Sequence, residues 1–338
     1  MTNRTAKATA TALKRKVREG KTQRSQSRAM PETIAAGSIV ECVPNFSEGR
    51  DRGKVEAIVR AMRVDGVHLL DYSLDADHNR SVVTIAGGPE AVVEAAIRGA
   101  GKAAELIDLR KQVGEHPRIG AADVVPFVPV HGVSLVQCAM LARQAGLGIW
   151  RRFGVPVYFY EAAAARPDRV NLEDVRRGQF EGLLKDVVRD TRRQPDVGGP
   201  ELHASAGASA VGARKFLIAY NMYLQQGADV SLARTIAKEV RASSGGMLGV
   251  KAMGVMANGR AQVSMNITDF HQTPVGRIHA AVRDITARHG AEIGEGEVIG
   301  LIPEEAFEPN AEWVRQTTQF DPEEKVLERR LRHPLEWP

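Results

Sequence analysis

A histidine stands where a proton could be passed. In Gly114-Glu115-His116-Pro117-Arg118-Ile119-Gly120-Ala121-Ala122-Asp123 an imidazole lies between two glycines, directly before a proline and two residues before an arginine. Proline pushes the residue before it toward extended backbone, and the flanking glycines permit sharp turns and close backbone approach. The apolar run from Val124 to Val130 follows and reads as a buried strand. His116 is therefore expected on a constrained loop at the mouth of a sheet, where catalytic groups are often carried. Imidazole titrates near neutral pH and can both take and give a proton. The plainer reading, a histidine that only hydrogen-bonds its own loop, is left open by the local sequence.

Three further segments are distinctive: Ile39-Val40-Glu41-Cys42-Val43-Pro44-Asn45-Phe46-Ser47-Glu48-Gly49, Asp77-His78-Asn79-Arg80-Ser81-Val82 and Gly212-Ala213-Arg214-Lys215-Phe216-Leu217-Ile218-Ala219. Together with the histidine segment, and in order from about Ser38 to about Pro303, they resemble the glutamate formimidoyltransferase family. The resemblance implies transfer of the formimidoyl group from N-formimidoyl-L-glutamate to N5 of tetrahydrofolate, a co-substrate, with release of L-glutamate. The attacking nitrogen must lose a proton and the leaving nitrogen must gain one, and one imidazole between them can do both. His116 matches the family's catalytic position, and the reaction requires no metal.

Both substrates carry carboxylates, which call for cations. Arg80, Arg118, Arg214 and Lys215, each inside a motif, are the candidates, set against their reading as solvated surface charges. Asp123 is a candidate to orient an arginine or the histidine, or simply to cap the following strand. The stretch Gly198-Gly199-Pro200-Glu201-Leu202-His203-Ala204-Ser205-Ala206-Gly207 falls where the family binds folate. Its glycines would let backbone groups approach a flat pterin. Animal members have a bulky aromatic where this chain has Ala206, which leaves backbone and Leu202 as the expected folate contacts. A plain linker is the alternative reading of that composition.

The resemblance further implies a homodimer, and the sparse cysteines, Cys42 and Cys138, read as those of an intracellular, reducing compartment, so the enzyme is expected to be cytoplasmic. Because the chain ends at Pro338, before a cyclodeaminase domain, the resemblance implies a monofunctional enzyme. The same histidine and folate stretch would also serve formyl transfer from 5-formyltetrahydrofolate to glutamate. Tandem ferredoxin-like units occur, too, as non-catalytic folate- or amino-acid-binding modules. Two apparent motifs are set aside. Gly207 to Lys215 resembles a phosphate-binding loop, but Ala213 follows Gly212 where that motif needs lysine. Asp75, Asp77 and His78 cluster, but on a turn, where hydrogen-bonded turn chemistry is the better account; no metal site is assigned.

The elements that must position these residues read as an α+β fold. Strands are expected at 39–44, 67–72, 81–86, 122–130 and 156–160, with helices at 53–64, 88–108 and 134–147. A helix near 178–190 and a Gly/Pro/Ala/Ser-rich linker from Pro195 to Gly212 follow. The second half repeats the order. It has a strand from Lys215 to Tyr223, a helix over 230–243, a hairpin around Asn258-Gly259, a helix over 274–289 and a closing strand at 297–302. Two tandem ferredoxin-like βαββαβ subdomains result, and the resemblance implies that they flank a substrate groove. The divisions are a disordered basic leader over 1–37, subdomains over 38–214 and 215–325, and a charged tail over 326–338.

Composition narrows the class. The net charge of +5 is misleading until it is located. Residues 1–30 hold nine basic residues and one acidic residue, a net +8, which leaves −3 on the rest. A nucleic-acid footprint would be a basic face on a domain, so no nucleic-acid partner is expected. The leader is poor in apolar residues and cannot fold alone. It lacks the apolar stretch of a secretory signal. Two cysteines, Cys42 and Cys138, make neither a disulfide framework nor a four-ligand zinc site. No apolar run is long enough to span a bilayer, so no membrane partner is expected.

Overall fold

A computed structural model describes residues 34–114 and 117–338. The expected leader up to residue 33, and His116 itself, lie outside the described residues. The first subdomain opens with β1 (Ile39–Cys42) and its continuation β2 (Asn45–Phe46), broken at Val43-Pro44. It goes on through α1 (Arg52–Ala61), β3 (Val67–Asp75), β4 (Arg80–Gly87), α2 (Pro89–Leu106) and β5 (Ala122–His131). β4 pairs with β3 on one side and with β1 and β2 on the other, and β1 and β2 pair with β5, all antiparallel. That is the expected ferredoxin-like arrangement.

Two more strands extend it. After α3 (Leu135–Phe153), β6 (Val157–Glu161) and β7 (Ser209–Ala213) add to the sheet in the order β5-β7-β6, both pairings parallel. The Pro195 to Gly212 linker is therefore corrected: its last residues form a fully buried interior strand. Its small residues fit there because Gly212 lies against the Tyr160 ring, where an added Cβ would come within 2.5 Å. α3 begins at a capping box, with Ser134 and Gln137 bonding reciprocally, and ends at left-handed Gly154.

The second subdomain is a ferredoxin-like unit without extension. It comprises β8 (Ile218–Leu224), α4 (Val230–Val240), β9 (Val250–Ala257), β10 (Arg260–Ile267), α5 (Val275–Arg288) and β11 (Ile293–Ile299), with sheet order β11-β8-β10-β9. Asn258 and Gly259 both have positive φ, 51° and 71°, as a two-residue hairpin turn of the primed kind requires. Two boundaries are corrected. β8 starts at Ile218 rather than Lys215, and the closing strand runs from Ile293 to Ile299 rather than over 297–302.

Each sheet buries one face under its helices. In the second, Tyr220, Met222, Val263, Met265 and Ile267 pack against Ile236, Ile278 and Val282. By the two-residue period of a strand, Asn221, Gln262, Ser264 and Asn266 lie on the opposite face. A smaller cluster of Leu70, Ala86, Leu301 and Leu327 joins the first sheet to the C-terminal segment. That segment returns to the first subdomain: Arg330 Nε donates to the Leu70 carbonyl (3.0 Å), and the Leu335 amide donates to the Leu69 carbonyl (2.8 Å).

Candidate active site

Three of the four distinctive segments meet at one end of the first sheet. Asn79 is the junction. Its φ is 49°, a left-handed conformation that asparagine tolerates, and its side chain is buried. Asn79 Oδ1 accepts from the Gly49 amide at 3.0 Å, while Nδ2 donates to the Val113 carbonyl at 2.9 Å. The Asn79 carbonyl accepts from Gln112 Nε2 at 3.0 Å. Gly114 then passes so close to the turn that an added Cβ would lie 2.4 Å from the His78 carbonyl oxygen. The first segment reaches the far side of the histidine loop as well. Ser47 Oγ donates to the Gly120 carbonyl at 2.7 Å, and the Ser47 amide donates to Ala121 at 2.9 Å. The residues on both sides of position 116 are thus held by segments from elsewhere in the chain.

The folate stretch divides in two. Residues 203–207, with Ala208 just after them, zip onto the stem of the histidine loop: Ala121 N donates to the Ala206 carbonyl and Ala208 N to the Ile119 carbonyl, each at 2.9 Å. Left-handed Gly207 makes this possible, since a Cβ there would meet the Ile119 oxygen at 2.1 Å. His203 Nδ1 accepts from the Ala206 amide at 3.0 Å and shapes the turn. Gly198 and Gly199 instead lie by Trp150 and Pro195 at the end of α3. Pro200 follows a cis bond, and Glu201 is exposed. Ala206 is 1% exposed, so its methyl faces the interior and not a ligand. A cavity of about 430 Å³ opens near His203, lined also by Arg98, Lys102 and Phe153. It lies on the helix side, and its cations are paired with Glu94 and Glu105.

The four candidate cations differ sharply. Arg118 is 7% exposed and forms a two-bond ion pair with Glu181. The Lys215 ammonium lies 2.6 Å from Asp269, and that pairing holds the Asp269 carboxyl below its ordinary range. Arg214 lies where β7 ends, its amide bonded to the Phe127 carbonyl at 3.1 Å, with the Glu41 and Glu161 carboxyls in its field. Arg80 opens β4 and is half-buried, and burial together with neighbouring Arg176 lowers its pKa. Asp123 is buried; it accepts the Ile119 amide at 2.7 Å and an Nη of Arg176. Asp75 accepts both the amide and Nδ1 of His78, the latter at 2.7 Å. Partial burial opposes ionisation there, but these bonds leave the Asp75 carboxyl below its usual range. Among the described residues no three His, Cys, Asp or Glu side chains are placed to hold a metal, and no helix is long and apolar enough to cross a membrane.

Sequence reasoning passed over several site residues. Arg176 has no motif, yet it reaches Asp123 at the histidine stem. Glu41 is 3% exposed, and burial pushes its pKa up to about 7, with Arg214 pulling the other way and Glu328 adding to the rise. The open face of the second sheet carries Asn221 beside Ser264. Asn221 Nδ2 and Gln262 Nε2 both face Glu297 Oε2, at 3.4 and 3.5 Å. The alternation Gln262-x-Ser264-x-Asn266 was the available signal. Lys251 of β9, on the same face, bonds Glu173 of the first subdomain at 2.6 Å.

Known proteins match this chain along most of its length. A family model of the formiminotransferase domain, N-terminal subdomain, matches residues 39–214, and one of the formiminotransferase domain matches residues 219–332. A glutamate formimidoyltransferase of Thermoplasma acidophilum is 43% identical over 298 residues, covering 87% of this chain and 97% of that protein. One from Streptococcus pyogenes serotype M1 is 42% identical over 296 residues, covering 87% and 98%. A formimidoyltransferase-cyclodeaminase of Gallus gallus is 39% identical over 81% of this chain and 52% of its own length.

Proposed function

Because the chain belongs to the formiminotransferase family, we propose that it moves the formimidoyl group from N-formimidoyl-L-glutamate to N5 of tetrahydrofolate. The products are 5-formimidoyltetrahydrofolate and L-glutamate. The observation that carries this reading is the meeting of three distant segments, through Asn79 and Ser47, around the residues that border His116. Such a junction fixes the residues that flank position 116, and acid–base transfer needs a group held within hydrogen-bond reach of the reacting nitrogens.

In this mechanism N5 attacks the amidine carbon, forming a tetrahedral intermediate. His116 takes the proton that N5 sheds and returns it to the glutamate nitrogen as the C–N bond breaks. Residues 203–207, zipped to the stem of that loop, are the part of the folate stretch nearest this chemistry. Arg80 and Arg214 are the cations of the original four whose position best suits substrate carboxylates. The polar face of the second sheet supplies the opposing wall of the groove. The same reading takes the enzyme to be a cytoplasmic homodimer.

The test is a transferase assay on the purified chain with N-formimidoyl-L-glutamate and tetrahydrofolate, followed by the folate product, with a formyl donor in parallel. Turnover with the formimidoyl donor is expected. His116→Ala is expected to lose about 10²–10⁴-fold in kcat, the usual size of a general acid–base contribution, while still binding folate. Near-normal turnover by that variant would remove His116 from the mechanism.

A further inference from the structure

Arg118 lies within a motif and is a candidate to meet a substrate carboxylate. A guanidinium has five N–H donors and no acceptor. In Arg118 all five are used by the protein. Nε donates to Gln112 Oε1 at 2.6 Å. Nη2 donates to the Gln112 carbonyl at 3.0 Å and to Glu181 Oε1 at 2.8 Å. Nη1 donates to Glu181 Oε2 at 3.1 Å and to Gln179 Oε1 at 3.3 Å. None remains for a ligand.

We propose that Arg118 is a positioning residue, a clamp that closes the base of the catalytic loop. Its side chain grips both the backbone and the side chain of Gln112, six residues earlier, so the residues that lead into the loop and out of it are tied to each other. Gln112 in turn donates to the Asn79 carbonyl, which fixes one end to the 75–80 turn. The Arg118 carbonyl accepts the Phe180 amide at 2.8 Å. With Glu181 this fixes the other end to the helix Gln179–Asp186. The guanidinium is buried, where a planar fork holding five bonds resists displacement better than a flexible ammonium. A misplacement near 1 Å in a reacting group costs on the order of 10²-fold in rate, so the clamp acts on kcat through the loop it closes. The kinetic consequence rests on the reading of His116 as the proton carrier; the ordering of the loop does not.

Arg118→Lys and Gln112→Ala, each in the full chain, test this by two readouts. One is steady-state kinetics with both substrates. The other is hydrogen–deuterium exchange of the peptide spanning residues 109–123. Both variants are expected to exchange faster in that peptide alone and to lose kcat, roughly 30-fold for Arg118→Lys, with KM for both substrates within about threefold. The double variant is expected to be little worse than Arg118→Lys, because the two residues act as one unit. A rise of tenfold or more in donor KM at preserved kcat would make Arg118 a substrate anchor and overturn the proposal. So would unchanged exchange over 109–123. Should Arg118→Lys fail to fold, Gln112→Ala decides by the same two readouts. If His116→Ala turns over normally, the histidine reading fails, and the exchange comparison still decides the clamp.

Discussion

Ser47 and Gly120 stand 73 positions apart in the chain, and Ser47 Oγ donates to the Gly120 carbonyl at 2.7 Å in a fully buried bond. The bond joins the chain's first distinctive segment to the second half of its histidine segment. Its neighbour, the Ser47 amide to the Ala121 carbonyl, runs alongside at 2.9 Å. Ser47 thus pins the exit of the loop, as Asn79 pins its entry.

Ser47→Ala deletes the donor and leaves a buried carbonyl with one partner fewer. A loss of about 1–2 kcal/mol is expected, read as a lower urea midpoint at an unchanged denaturant slope. Turnover should fall severalfold, since the loop exit is loosened while its backbone bond remains.

Gly114→Ala tests the close passage of the loop over the 75–80 turn. The added methyl would lie 2.4 Å from the His78 carbonyl oxygen and 2.8 Å from Asn79 Cβ. Neither backbone can give way without breaking the Asn79 junction. The variant is expected to fold with a stability cost of about 1–3 kcal/mol and to lose at least tenfold in kcat. Wild-type turnover together with a wild-type melting temperature would show that the loop has room the structure does not grant it.

Glu41 gives a pH signature. Its carboxyl titrates near 7 in the folded chain, raised from 4.5 chiefly by burial. A raised carboxyl favours the protonated form, so the folded state is fully favoured below pH 4.5 and loses that advantage as pH climbs through 7. Glu41→Gln keeps the neutral form at every pH. It is expected to match wild type near pH 4 and to exceed it by about 3 kcal/mol at pH 8. Denaturant curves at the two pH values check the sign, and a Gln variant that is less stable at pH 8 would contradict it.

Much of the fold was legible because its signals are local. The Asn258-Gly259 turn, the apolar period of α1 and the run entering β5 each lie within a few residues. β7 was not legible: Ser209-Ala-Val-Gly-Ala213 holds a single β-branched residue, and only the Tyr160 ring beside Gly212 explains why small side chains belong there. The site was legible in its segments but not in their wiring. Arg118 is a candidate substrate ligand by its place in a motif, yet its anion, Glu181, comes 63 positions later. Nothing in the sequence near Arg118 announces that partner. Lys215 repeats the lesson with Asp269, 54 positions on. Partners so far apart are brought together only by the finished fold.

The chain's last segment has one more effect. β3 forms the rim of the seven-stranded sheet, pairing among the described strands with β4 alone. An uncovered rim invites a second molecule to add its own strand. Leu335, by hooking onto Leu69, occupies part of that rim from within the same molecule. The hook leaves fewer unpaired backbone groups along that rim for another strand to use.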